Sequence, residues 1–184
     1  MRSIIIFLVI ALTLFFSKFS KGKEFKKLII IKPSSMDILY WINDLPTVHA
    51  DIIRYAYSRI GTPYRYGGAS WTKGIDCSNF TWRLYADLRY HYREYVTTYE
   101  MQRIKKEYKG LRAIPLEDAK AGDLLVYGRF GKESWKGHVV ALVNEQDEIV
   151  VGSHSGHGVQ FVRPDEYPCF FGNYPLVKVL RVIQ

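Results

Sequence analysis

Near Gly122 the apolar residues change their period, and that change restricts the fold more than any other feature of the chain. Before it, Ala50, Ile53, Ala56, Tyr57 and Ile60 recur at helical spacing, and Gly61 followed by Pro63 stops the run. Phe80, Leu84 and Leu88 repeat every four residues and predict a second helix that begins near Cys77. After Gly122, residues 124–127, 138–143, 149–153, 158–162 and 176–183 are short apolar runs separated by turn residues, the pattern of strands. Helices first and strands afterwards predict an α+β fold, with N-terminal helices packed on a C-terminal antiparallel β-sheet. Residues 90–120 are charged and predict only a mixture of helix and loop. The whole, at 184 residues, suits one domain around one core.

The start of the chain has a different character. Residues 4–16 carry no charge and are apolar except for Thr13. Thirteen residues are short for a membrane span of ~20, but they suit the apolar region of a secretory leader. Residues 1–27 are therefore expected to be a signal peptide or an N-terminal membrane anchor, and the protein is expected to be exported to the cell envelope. No small-x-small cleavage site follows, and five lysines after the run oppose the usual positive-inside orientation, so removal and retention both stay open. Residues 28–46, with one apolar stretch and a Pro33-Ser34-Ser35 break, are expected to be a connecting segment ahead of a domain spanning 47–184.

Charge bears on partners only after this division. Residues 1–27 have a net charge of +5, whereas the remaining 157 residues hold 20 basic and 17 acidic side chains. The domain itself is only mildly basic and shows no basic stripe, which excludes a nucleic-acid partner of the usual kind. Aromatic residues are plentiful, with 14 Tyr, 10 Phe and 4 Trp, enough to fill a core or to line a groove for an extended ligand.

The chemistry concentrates at one of the two cysteines. Gly74-Ile75-Asp76-Cys77-Ser78-Asn79-Phe80 places a thiol in the first turn of the expected helix, with Asp76 and Ser78 as candidate caps. Free N–H groups and the helix dipole there favour thiolate over thiol, and the same groups suit a developing oxyanion. His138 heads an apolar strand in Lys136-Gly137-His138-Val139-Val140. A helix-borne Cys, then a strand-borne His, then a strand with a further polar residue is the order of papain-like Cys–His triads. A disulfide between Cys77 and Cys169 is the opposing reading of the same two residues.

Residues 55–85 resemble the signature segment of the NlpC family of papain-like cell-wall endopeptidases. The resemblance lies in Gly61-Thr62-Pro63-Tyr64-Arg65-Tyr66-Gly67-Gly68 and in Gly74-Ile75-Asp76-Cys77-Ser78 with Phe80. Ala121-Gly122-Asp123-Leu124-Leu125, Gly137-His138-Val139 and Gly158-Val159 continue it, so that it covers about residues 50–162. It implies a cysteine peptidase that hydrolyses amide bonds in peptidoglycan stem peptides, usually between D-glutamate and a diamino acid, through a thioester acyl-enzyme. It implies Cys77 as nucleophile, His138 as base, and Tyr64, Asp76 and Ser78 at the substrate. Gly67 and Gly68 would let backbone pass close to that substrate. No metal or organic cofactor is implied, and a monomer is expected. Other readings stay open: a papain-like amidase or acyltransferase on another substrate, or an inactive wall-binding module.

The chain also departs from the family. The third triad residue usually follows the catalytic His by about twelve positions, which here falls on Val150. Trp71-Thr72-Lys73 is an insert before the Cys motif, and Asn79 stands where Gly is frequent. Hairpin geometry gives a different third residue. The polar run Asn144-Glu145-Gln146-Asp147-Glu148 is the turn, and centring it on Gln146 places 138 opposite 154, which selects His154. A shifted turn would bring in Ser153 or Ser155, and His157 lies further along the same run.

Overall fold

A computed structural model describes residues 29–90, 92, 94–128, 137–146, 148–163, 170–171 and 174–183. The expected leader, residues 1–27, and Cys169 lie outside the described residues. Among the described residues no helix is long and apolar enough to cross a membrane.

Two helices, α2 (Thr47–Tyr57) and α3 (Cys77–Ala86), form one layer. Ala50, Ile53 and Ala56 of α2 and Phe80 and Leu84 of α3 are buried in one core cluster with residues of the sheet, as their spacing requires. Helix α2 ends at Tyr57, earlier than Ile60, because Ser58 turns back and donates its hydroxyl to the Tyr55 carbonyl at 2.7 Å.

Nine strands make the other layer: β1 (Ile29–Ile31), β4 (Glu107–Tyr108), β5 (Leu111–Ile114), β6 (Leu124–Gly128), β7 (Gly137–Asn144), β8 (Ile149–His154), β9 (Gly158–Arg163), β10 (Phe170–Phe171) and β11 (Tyr174–Val182). They run in the order β1-β9-β8-β7-β6-β11-β5-β4, with β10 on β11, and every pairing is antiparallel. A small hairpin of β2 (Ala69–Ser70) and β3 (Gly74–Ile75) stands apart. All of β6 is buried, since α2 and α3 cover one face while Leu125, Val140, Leu142, Val150, Val162 and Val179 form a second apolar cluster. That double cover explains why residues 124–127 read as a continuous apolar run rather than an alternating one.

Two stretches differ from expectation. Residues 28–46 do more than connect: β1 pairs with β9, and helix α1 (Ser35–Ile42) lays Ile38, Trp41 and Ile42 into the core, with Trp41 stacked on Phe161. Ser34 starts this helix through a capping box with Asp37. Residues 90–120 hold the short helix α4 (Thr98–Met101), strands β4 and β5, and one 3-10 turn at Leu116–Asp118. Strand β5 pairs with β11, so the last strand of the chain lies between β5 and β6.

The Gly122-Asp123 turn into β6 is built around a charge. Asp123 is buried and accepts from Arg181 Nε at 2.8 Å and Nη2 at 2.7 Å, tying β6 to β11. Gly122 has φ +92, and a Cβ there would stand 2.8 Å from His49 Cδ2, so only glycine suits the position.

Candidate active site

The position of Cys77, the expected nucleophile, is set by Asp76. It is the N-cap of α3, and its Oδ1 accepts from the Asn79 N–H at 2.7 Å, the Ser78 hydroxyl at 3.0 Å and the Asn79 amide at 3.1 Å. Its Oδ2 accepts from the Gly67 N–H at 3.0 Å. One buried carboxylate thus locks the helix start to the glycine loop, and Asn79 earns its place by adding a donor that glycine lacks. Ser78 gives its proton to Asp76, so the 2.8 Å contact with Tyr95 is a bond from the tyrosine hydroxyl to Ser78 Oγ.

The loop before α3 is pinned from both sides. Ser153 of β8 donates to the Ile75 carbonyl at 2.7 Å, which occupies a residue that was a candidate for the third triad position. Gly158 has φ +72 and passes against the Thr62 carbonyl, while Val159 N–H donates to that carbonyl at 2.8 Å. The Trp71-Thr72-Lys73 insert docks on the helices. The Trp71 indole N–H donates to Asp87 at 2.8 Å, and the ring lies between the Arg59 and Arg83 guanidinium groups at 5.1 and 5.2 Å. Gly68 lets backbone pass backbone, since a Cβ would stand 2.5 Å from the Gly74 carbonyl; of the two loop glycines only Gly67 lines the cleft.

Cys77 is a free, buried thiol, so the disulfide reading fails. The Val139 N–H, one residue after His138, donates to the sulfur, which seats the thiol on the first residues of β7. Burial pushes this thiol up to about 12, against the bonds from Val139 and Ser78 that favour thiolate. The expectation of a lowered thiolate pKa is therefore corrected: withdrawal from water outweighs the helix start.

His138 Nε2 lies 3.2 Å from His154 Nδ1. The ladder pairs Ala141 with Val151 and Leu142 with Val150, the register that carries 138 to 154, and the irregularity falls between Leu142 and Asn144 rather than at Gly152. Val150 sits in the apolar cluster and has no polar atom to offer. Gly152 leaves room for the pair, because a Cβ there would press Val140 at 2.7 Å and His154 Cε1 at 3.2 Å. Burial holds both imidazoles neutral: His138 is lowered well below its ordinary value by desolvation and then by His154, and His154 is lowered to about 4. The Gln160 main-chain carbonyl favours a protonated nitrogen on His154, whose Nδ1 already faces His138. In the tautomer in which His138 donates from Nε2 and His154 accepts at Nδ1, His138 Nδ1 carries the lone pair that a base needs. His157 lies exposed in the turn after β8.

A cleft of about 570 Å³ opens over Cys77. Tyr64, Asp76 and Ser78 line it as expected, and Tyr64 is held protonated, pushed up to about 12 by burial and by Cys77 and Asp76 nearby. Tyr66, Tyr95, Thr97, Thr98, Tyr99 and Tyr174 complete the walls and were missed. One signal was available for part of this set: Thr97-x-x-Glu100 is a capping box, with the Thr97 N–H bonded to Glu100 at 2.8 Å. Among the described residues no group of three or more His, Cys, Asp or Glu is placed to hold a metal ion.

Comparison with known proteins agrees with this arrangement. Residues 61–169 match the NlpC/P60 family. The fold is similar to an NlpC/P60 family protein from Bacillus cereus, at 24% identity and TM-score 0.58 over 77% of this chain and 43% of that one. It is similar to the P60 domain of an antigen from M. avium subspecies paratuberculosis, at 21% identity and TM-score 0.53 over 79% of this chain and 98% of that domain. A lipoprotein-like NLP/P60 protein of Staphylococcus aureus aligns over 91% of this chain and 47% of that one, at 18% identity and TM-score 0.54. The chain thus spans less than half the length of the Bacillus and Staphylococcus proteins. Among curated proteins no match is found. With the match covering more than half of the sequence, and with the papain-like sheet and helix arranged as described, the chain belongs to the NlpC/P60 family.

Proposed function

We propose that this protein is a cysteine peptidase that hydrolyses an amide bond in the stem peptides of peptidoglycan, and that it does so in the cell envelope. The observation that carries the reading is the pairing of His138 with His154 at 3.2 Å beside Val139, whose N–H meets the Cys77 sulfur, with Cys77 itself lining an aromatic cleft.

With thiol and imidazole both neutral at rest, the S–H proton passes to His138 Nδ1 as sulfur attacks the amide carbon. The developing oxyanion is held by N–H groups of the α3 start and by the protonated Tyr64 hydroxyl. His138, now imidazolium, gives its proton to the leaving amine, and the acyl group stays on Cys77 as a thioester. Water then attacks that thioester while His138 takes one of its protons, the C–S bond breaks, the proton passes from His138 to the Cys77 sulfur, and the acid product leaves. His154 holds the ring in the tautomer this sequence needs.

The finer reading, cleavage between D-glutamate and the diamino acid, follows from the family resemblance. Incubating the purified protein with stem-peptide fragments and weighing the products by mass spectrometry tests it. Products with a new amine on the diamino acid support the reading, and intact fragments with every stem type overturn it.

A further inference from the structure

Helix α1 carries apolar residues on both its buried and its exposed face. Asp37 is its only charged residue, and that carboxylate is occupied in the N-cap. Ile38, Trp41 and Ile42 face the core, whereas Met36, Leu39 and Tyr40 are 73%, 54% and 72% exposed. These three stand at positions i, i+3 and i+4, so they form one continuous face. Scattered exposed apolar residues are ordinary; an apolar face on a helix already fixed to a core marks a contact with something apolar.

We infer that this face of α1 rests on a lipid bilayer with anionic headgroups. The sequence upstream supplies the argument. Only residues 17–28 separate the apolar run of residues 4–16 from β1. Twelve residues span at most about 40 Å even when fully extended. With that run retained in a membrane, the start of β1 stays within this distance of the surface, and α1 begins six residues further along the chain. Lys18, Lys21, Lys23, Lys26 and Lys27 in the same stretch, against Glu24 alone, match anionic headgroups.

The sheet gives the seat a direction. Ile29 pairs with Arg163 at one end of β9, while His154 pairs with Gly158 at the other. Five residues of strand separate these ends by roughly 16 Å. The chain therefore enters β1 at the end of β9 remote from His138 and His154, and β1 runs toward Phe161 before α1 begins. The lipid contact does not rest on the proposed function.

The test reads lipid contact alone. Leu39→Trp and Tyr40→Trp, both at exposed positions, are made in the full chain, with Tyr108→Trp on β4, at the opposite edge of the sheet, as reference. Each is reconstituted in phosphatidylglycerol–phosphatidylethanolamine vesicles with and without brominated acyl chains, and emission is compared with the parent protein. Loss of the added emission at positions 39 and 40, but not at 108, is the expected result. Emission at 39 and 40 that bromine leaves untouched overturns the inference. A blue shift without quenching overturns it too, because it assigns the face to a second copy or to residues 1–28.

Discussion

Replacing His154 with alanine probes the base through its partner rather than directly. The change removes the partner of the 3.2 Å bond with His138, a half-buried side chain whose Nε2 then loses that partner. Such a loss costs about 1–3 kcal/mol. At ~1.36 kcal/mol per tenfold, turnover should fall about 10- to 100-fold, with KM little changed, since the side chain holds the base and not the substrate. His154→Asn, which keeps an acceptor, should recover part of the loss. The pH profile separates orientation from mere damage. In the parent both imidazoles are depressed, so the base stays neutral, and activity holds, well below pH 6.5. Alanine admits water and removes the neighbouring ring, the two causes of the depression, so the acid limb should move up toward 6.5. Stability follows the same sign. A histidine whose folded pKa is lowered stabilises the fold fully above its unfolded value of 6.5 and loses that contribution as pH falls toward about 4. For His154 the span corresponds to about 3 kcal/mol. Kinetics on a stem-peptide fragment from pH 4 to 9, with denaturant unfolding at the same pH values, measures both. Full turnover in His154→Ala with an unmoved acid limb would refute the reasoning.

Three further outcomes are expected. Cys77→Ser should abolish hydrolysis with little change in thermal midpoint, and with its thiol near 12, native Cys77 should react slowly with iodoacetamide at pH 7 and about tenfold faster per pH unit above it. Rapid labelling at neutral pH would mean that burial does not govern the thiol. His157→Ala, in an exposed turn, should leave turnover within about threefold of the parent; a loss larger than that of His154→Ala would move the positioning role to His157. Gly158→Ala forces a Cβ against the Thr62 carbonyl at φ +72 and should lower stability by about 1–3 kcal/mol in thermal unfolding, whereas an unchanged midpoint would contradict the packing of β9 on the active-site loop.

What the sequence showed of the fold tracks the length of each element. The strands from residue 124 onward are five to nine residues long and bounded by turn residues, so their extents were legible. The β7–β8 register followed because one polar run separates two apolar ones. Helix α1 was hidden for a different reason: apolar residues stand on both its buried and its exposed face, so they do not mark one side as the core side. Helix α4 and strands β4 and β5 are two to four residues long, too short for any period, and β5 finds its partner β11 far along the chain.

At the site, positions were legible and energies were not. The placing of Cys77 on a helix start and of His138 on a strand came from motif and period, and His154 from counting across a turn. The ionisation of the thiol depended on a contest that residue spacing does not reveal. A helix start is worth about 0.3–1 kcal/mol for a nearby negative charge, rarely ~2. Raising the thiol from 9.0 to about 12 corresponds to about 4 kcal/mol, so burial exceeds the dipole. Burial arises because Tyr64, Ser78, Tyr95 and the first residues of β7 surround Cys77 at the cleft, and those residues come from four separate segments. The same enclosure that suppresses thiolate at rest also keeps His138 unprotonated and ready to accept the proton. In the proposed mechanism a buried site is thus poised for attack without holding an ion pair beforehand, and the proposed oxyanion donors of α3 and Tyr64 would act on charge that appears only when substrate has displaced water from the cleft.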